Sequence, residues 1–414
     1  MQLRSSGRLV GIVASAAMIF GACSAAGSSP TPAPASQAAP ASQAAASQAA
    51  PASQAAPASQ AAAGGCNADA NLAAAEQAGV LAKGPHGESA EPASSVTLSA
   101  DEIAKVKAMN ATAAIVFHYT GDDWTGAQQA GLTYEFGQLG IKIVAVTSAN
   151  FSAATQVSNI ETVMAKKPNI IVSIPTDPAA TANAYKQAAA AGIKLVFMDN
   201  VPNGMTAGKD YVSDVSADNP GNGVMSAHLM AKALNCKGKI GLIYHDADFF
   251  VTKQRYEGFK STIQQDYPNI QIIDEKGVTG PDFAGQAQAD ANAMLTKYPD
   301  INGIWAVWDV PAEGVMAAAK NAGRNDLVIT TEDLGKNVAI SLAQNGLVKG
   351  LGAQRPYDQG VTEAKLGAYA LLGKTAPAYV ALPALAVSHD NVLDAWQQVY
   401  HAAAPAEVQS SFQK

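Results

Sequence analysis

From residue 113 onward, short apolar runs alternate with longer stretches of helical period. Runs at 113–117, 141–146, 170–174 and 193–198 show little polar alternation and read as strands covered on both faces. The segments 125–139, 153–167 and 178–191 read as helices, with Gly140 and Gly192 as stops and Pro178 as a start. Ser99-Ala100-Asp101-Glu102 is a capping box that opens an earlier short helix. After a helix at about 219–234 the rhythm restarts. Strands are expected at 240–244, 270–273, 303–307 and 327–330, and helices at 251–265, 283–298, 311–323 and 337–345, followed by a short apolar segment at 351–353. This alternation predicts an α/β chain with two similar halves, each a right-handed doubly wound parallel layer. Sheets of that kind offer a crevice at the carboxyl ends of their strands, so the residues that follow each strand are the ones to inspect.

The first 65 residues follow a different pattern. Arg4 and Arg8 precede an apolar stretch at 9–20, and Phe20-Gly21-Ala22-Cys23 follows. A basic start, a short apolar run and small residues form a secretion signal (1–22), too short to span a bilayer as a stable helix. Cys23 after the small residues resembles a lipobox, in which the thiol is lipidated and becomes the new N-terminus; ordinary cleavage near a chance cysteine is the alternative. Apart from Thr31, residues 24–65 contain only Ala, Pro, Ser, Gln and Gly, with Ala-Ser-Gln-Ala-Ala recurring from Ala35, Ala41, Ala46, Ala52 and Ala58. With neither charge nor aromatic, this stretch cannot bury enough surface to offset ordering and reads as a tether. The signal places everything after it outside the cytoplasm, at the cell membrane if Cys23 is lipidated.

About 350 residues remain, enough for two lobes of ordinary size, behind an irregular lead-in at 66–97. The formal net charge of −7 and the lack of a basic cluster after Arg8 make nucleic acid an improbable partner. Cys66 and Cys236 are the two cysteines besides Cys23. In an oxidising compartment an even pair suggests one disulfide, and two free thiols are the alternative.

Chemistry-bearing residues gather where strands stop. Gly121-Asp122-Asp123-Trp124 follows the first strand and Asp199-Asn200 the fourth. In the second half Arg255 and Phe283 stand near helix starts, Trp308-Asp309 and Glu332-Asp333 follow strands, and Gln354 closes the last short segment; Tyr244-His245-Asp246 also ends a strand. Carboxylates, amides and an arginine satisfy hydroxyl groups, and aromatic faces cover the C–H side of a ring, so the set suits a small polyhydroxylated molecule. Several residues have plainer readings: Asp123 as a helix cap, Trp308 and Phe283 as core, Arg255 as half of a helix-surface ion pair. No Gly-x-Ser-x-Gly elbow or phosphate-cradling Gly-x-x-x-x-Gly-Lys loop is present. The six histidines are scattered, and neither a metal nor a cofactor is expected. A hydrolase would need Asp199 and Asp309 as facing acid and base, a weaker reading than ligand capture without chemistry.

Four short segments carry a family resemblance: Ile174-Pro175-Thr176-Asp177, Val215-Ser216-Ala217-Asp218-Asn219, Arg255-Tyr256-Glu257-Gly258-Phe259, and Gln354-Arg355-Pro356 with Gly360. In their order and spacing, residues 112–392 resemble the ribose/galactose-type periplasmic binding proteins of bacterial sugar ABC transporters. The resemblance implies the type I periplasmic binding protein fold: two Rossmann-like lobes joined by three crossing segments, here 98–216 with 355–380 and 217–354 with 381–414. It implies a non-enzymatic solute-binding protein, a monomer that closes on a sugar or similar molecule and docks on an ABC permease. A ligand sensor that presents its closed form to a chemoreceptor or sensor kinase is the alternative. Asp199 falls on the family's sugar-binding aspartate, Arg255 on its ligand arginine, Phe283 on a stacking aromatic, Asp333 on the second-lobe aspartate and Gln354 on the hinge glutamine. Asn200 stands where an arginine often follows the aspartate. Trp308, followed by Asp309, stands where ribose binders carry asparagine, and Asp123-Trp124 replaces their Asn-x-Phe-Phe loop. The scaffold therefore matches better than the pocket.

Overall fold

A computed structural model describes residues 66–412 of the chain. The signal, Cys23 and the tether lie outside the described residues. The chain enters through α1 (Ala68–Gln77), β1 (Glu91–Pro92) and α2 (Ala100–Ala108). It then lays down β2 (Thr112–Phe117), α3 (Asp123–Gln138), β3 (Lys142–Ser148), α4 (Ala153–Ala165), β4 (Ile170–Ser173), α5 (Ala182–Ala190), β5 (Lys194–Met198) and β6 (Ser213–Ala217). A first crossing leads to α6 (Asn219–Ala233), β7 (Gly238–His245), α7 (Phe250–Asp266), β8 (Ile270–Val278), α8 (Phe283–Lys297), β9 (Gly303–Ala306), α9 (Asp309–Asn321), β10 (Val328–Glu332), α10 (Lys336–Ala343) and β11 (Val348–Ala353). A second crossing returns the chain through α11 (Pro356–Leu372) and β12 (Tyr379–Leu382), and a third sends it to β13 (Leu385–Val387), α12 (Val392–Tyr400) and α13 (Ala406–Ser411).

The strands form two sheets, ordered β1-β12-β6-β5-β4-β2-β3 and β13-β11-β10-β9-β7-β8. All pairings are parallel except β11 with β13. The run β6-β5-β4-β2-β3 has the same internal order as β11-β10-β9-β7-β8, so the duplication expected from the sequence is one of topology. The chain is an α/β protein of two Rossmann-like lobes joined by three crossing segments. Each sheet is sandwiched by helices. The residues Ala113–Phe117 of β2 are inaccessible, as are Ile304, Trp305 and Ala306 of β9, which explains why apolar runs without alternation marked these strands.

The lead-in, expected to be irregular, carries structure that bridges both lobes. Cys66 and Cys236 stand in disulfide contact with Cα atoms 5.3 Å apart, which holds α1 against α6 of the second lobe. Further along, β1 extends the first sheet through β12. Between them, the amides of Leu81 and Ala82 donate to the Asp218 carboxylate, at 3.1 and 2.9 Å, just where the chain first crosses. β12 stays in the first sheet to Leu382, two residues past the boundary expected at 380.

Candidate functional site

The carboxyl ends of both sheets face one interlobe cavity of about 540 Å3, counting its mouth, within the range of small-molecule sites. Equivalent strands contribute equivalent residues. Asp199 follows β5 and Asp333 follows β10; both adopt a left-handed backbone, φ 61° and 64°, which Asp tolerates better than most side chains. His118 follows β2 and His245 ends β7. Phe151 lies beyond β3 and Phe283 beyond β8, and their rings meet edge to face at 5.1 Å across the lobe boundary.

Arg255, on α7, is 4% exposed and organises the centre. Its Nη1 donates to Asp333 Oδ2 at 2.9 Å and to the Val307 carbonyl at 3.2 Å, and its Nε donates to Asn219 Oδ1 at 3.0 Å. Nη2 has no partner among the described residues. Gln354 Nε2 donates to the other Asp333 oxygen at 2.8 Å, while Gln354 Oε1 is buried without a partner. The plain reading of Arg255 as part of a surface pair is thereby replaced: its pair is buried and lies in the cavity wall.

Asp199 Oδ1 accepts from Ser216 Oγ at 2.7 Å and Gln359 Nε2 at 3.3 Å, and burial pushes its carboxyl up to about 6. Asp309 begins α9, is 8% exposed and accepts no hydrogen bond among the described residues. Burial holds its pKa well above the usual carboxylate range, and the charges of Asp333 and Asp122 push the same way. Its Oδ2 fills the place a Cβ on Gly335 would take, 1.9 Å from that position, so glycine is required there.

Of the residues singled out in the sequence, Trp124, Asp199, Arg255, Trp308, Asp309, Asp333 and Gln354 line the cavity. Three do not. Phe283 packs behind Trp308 at 4.9 Å, edge to face, where it supports the wall. Asn200 is fully buried and donates from Nδ2 to the Pro175 carbonyl at 3.2 Å, so it shapes the turn under the site. Asp123 points to the rim, where Oδ2 accepts from the Lys336 backbone N–H at 2.6 Å. The cap of α3 is Asp122, whose Oδ1 accepts from the Thr125 amide at 2.8 Å.

Asp122 and His245, noted in the sequence only as members of strand-end segments, also line the wall, and the structure adds His118, Phe151, Phe249 and Thr252, which the sequence reading did not name. Burial pushes His118 down to about 3 and His245 down to about 4, so both are neutral at pH 7. Thr252 Oγ1 donates to the Phe249 carbonyl at 3.1 Å, so it accepts from His245 Nδ1–H at 3.1 Å and leaves His245 Nε2 as an acceptor. His118 stacks 5.8 Å from Phe249. For His118 and His245 the duplicated topology was the signal, because the end of each lobe's first strand faces the same gap.

Comparisons with known proteins agree with this architecture. A family model described as a periplasmic binding protein domain matches residues 113–375. The ribose import binding protein of Escherichia coli is 26% identical over 243 residues, covering 58% of this chain and 78% of its own. The D-apiose import binding protein of Actinobacillus succinogenes is 25% identical over 268 residues, covering 64% and 84%. Among solved structures, an ABC sugar transporter subunit from Rhodobacter sphaeroides superposes with a TM-score of 0.60 at 27% identity, covering 67% of this chain and 98% of its own. With its matched span running through both lobes and all but the last crossing, the chain belongs to the periplasmic binding protein family, in the ribose/galactose-type branch of solute-binding proteins of sugar ABC transporters.

Proposed function

We propose that this protein captures a sugar or similar polyhydroxylated molecule outside the cytoplasm and delivers it to an ABC permease. The observation that carries the reading is the cavity wall. Asp199 and Asp333 accept hydrogen bonds from hydroxyls, Arg255 Nη2 and Trp124 Nε1 donate, Gln354 Oε1 accepts, and Trp308, Phe151 and Phe249 offer apolar faces. Both lobes supply these groups. A ligand that touches them all binds the closed state better than the open one and shifts the population toward closure. The closed pair of lobes then forms the surface a permease recognises. The named relatives, import binding proteins for ribose and D-apiose, support a ligand of this size and polarity.

The protein works as a monomer. Cys23 carries a lipid, and residues 24–65 form the tether that lets the lobes range from the membrane. Incorporation of labelled fatty acid in the parent and its loss in Cys23→Ala test the anchor.

The binding step is tested by thermal-shift titration of the purified protein with pentoses, hexoses and polyols. At least one should raise the melting temperature in a concentration-dependent way and reduce the radius of gyration in solution scattering. A panel without any shift, or a shift without compaction, rejects capture by closure.

A further inference from the structure

The charges facing the cavity do not balance. Asp122, Asp199, Asp309 and Asp333 line it, against one cation, Arg255. Arg255 is already engaged by Asp333 at 2.9 Å. Among the described residues no lysine lines the wall, and both wall histidines are neutral. Three carboxylates thus face the gap without a counter-ion. Asp122 Oδ2 and Asp199 Oδ2 have no partner among the described residues, and Asp309 has none on either oxygen although it is nine-tenths buried. Among the described residues no group of side chains has the arrangement to hold a metal ion. The aromatic content of the wall points the same way, since Trp124, Trp308 and Phe249 line it and aromatic rings attract a cation.

From this imbalance we infer that the preferred ligand is an aminated sugar or polyol, a hydroxylated skeleton bearing one protonated primary amine, with the ammonium between Asp309 and Asp122 and the hydroxyls toward Arg255, Asp333 and Gln354. The inference rests on the sugar-capture reading and sharpens its ligand class. A neutral polyol can donate to the same oxygens but leaves their charge uncompensated in a partly dry cleft, whereas an ammonium donates three hydrogen bonds and cancels one charge. Burial raises the pKa of Asp199 and Asp309, and for Asp309 the neighbouring carboxylates Asp333 and Asp122 push the same way, so an ammonium beside Asp309 would favour its charged form.

The test is isothermal titration of the full chain at pH 7 with matched sets: D-glucosamine, D-galactosamine and D-mannosamine, each beside its neutral parent and its N-acetyl form. At least one amine should bind about tenfold or more tighter than both counterparts. Asp309→Asn should weaken binding of the amine by about tenfold or more and that of the neutral parent by a smaller factor, so that most of the preference is lost; an unchanged ratio between the two overturns the placement of the ammonium. A neutral parent that binds as tightly as its amine overturns the inference and leaves sugar capture standing. Sets in which neither neutral nor aminated members bind overturn the inference, and sugar capture falls with it when the pentose, hexose and polyol panel is silent as well.

Discussion

At the scale of single residues, the site rests on carboxyl groups whose protonation is coupled to folding. Glu332, next to Asp333, is fully buried. Its Oε1 accepts from Ser226 Oγ at 2.8 Å and from Trp305 Nε1 at 3.1 Å, while Oε2 has no partner. Burial pushes its pKa up to about 8 against the opposing pull of Arg255. The folded chain therefore keeps a proton here that the unfolded chain surrenders near 4.5. Where the native state binds more protons, stability falls as pH rises, by about 1.4 kcal/mol per pH unit for one group. His118, His228 and His245, depressed to about 3, 4 and 4, act oppositely, but only below their ordinary value of 6.5. Above it they are neutral in both states, and the carboxyls decide the sign. The melting temperature should accordingly fall from pH 6.5 to 8.5. Glu332→Gln, an uncharged mimic of the protonated acid, should melt higher than the parent at pH 8.5 and show a shallower decline. Parallel profiles for the two proteins would assign the proton elsewhere. Nothing in the local sequence of Glu332 distinguishes it from Asp333: one side chain points into the core from the last position of β10, and the other lines the gap from the left-handed residue that follows.

At the scale of elements, paired helices are brought so close that glycine is obligatory on both sides. A Cβ on Gly258 of α7 would lie 2.5 Å from the Pro220 carbonyl oxygen of α6, and one on Gly223 of α6 would lie 2.3 Å from the Arg255 carbonyl oxygen. The Arg-x-x-Gly-Phe segment thus joins two jobs: Gly258 sets how near α7 approaches, and that approach places Arg255 against Asp333. Gly258→Ala should cost about 1–3 kcal/mol through overpacking and weaken ligand binding as well, read as a lower denaturation midpoint and a higher Kd. An unchanged midpoint would mean that the two helices yield without strain. Elements of this kind were partly legible. The apolar runs of β2, β4, β5, β7, β9 and β10 announced themselves because both faces are covered. β6 did not read as a strand from its pattern, since Ser213, Asp214 and Ser216 are polar and yet fully buried. β12 and β13 are short and separated by Pro383. α11 was missed because Gly360 and Gly367 interrupt it and a wide buried face blurs its period. Among site residues, most of those that follow strands were found from the sequence, His118 after β2 excepted. Phe249 and Phe151 were not, because aromatics in loops have no spacing that separates a cavity wall from ordinary core.

At the scale of the whole molecule, the arrangement of the lobes is closed, and few polar contacts hold it so. Asp123 stands in the first turn of α3, and its carboxylate accepts from the first amide of α10 in the other lobe, at 2.6 Å. A carboxylate at a helix N-terminus gains from both the free N–H and the helix dipole, worth about 0.3–1 kcal/mol at an exposed position. The contact exists only while the lobes are shut, unlike the Cys66–Cys236 strap and the three crossings, which persist through opening. Asp123 touches no wall residue of the cavity by hydrogen bond, although its charge acts on Asp122 and Asp309, so its effect on the affinity for an uncharged sugar runs chiefly through the closed population. Asp123→Ala should therefore raise the Kd of an uncharged captured sugar by about two- to fivefold, the factor corresponding to that energy. It should also enlarge the ligand-free radius of gyration without lowering the melting temperature, since the side chain is exposed and supports no core packing. The ligand-saturated scattering profile should match the parent, because ligand contacts outweigh the missing latch. A variant with normal affinity and normal ligand-free dimensions would show that the latch contributes nothing, and that aromatic contacts such as Phe151 on Phe283 hold the lobes together instead.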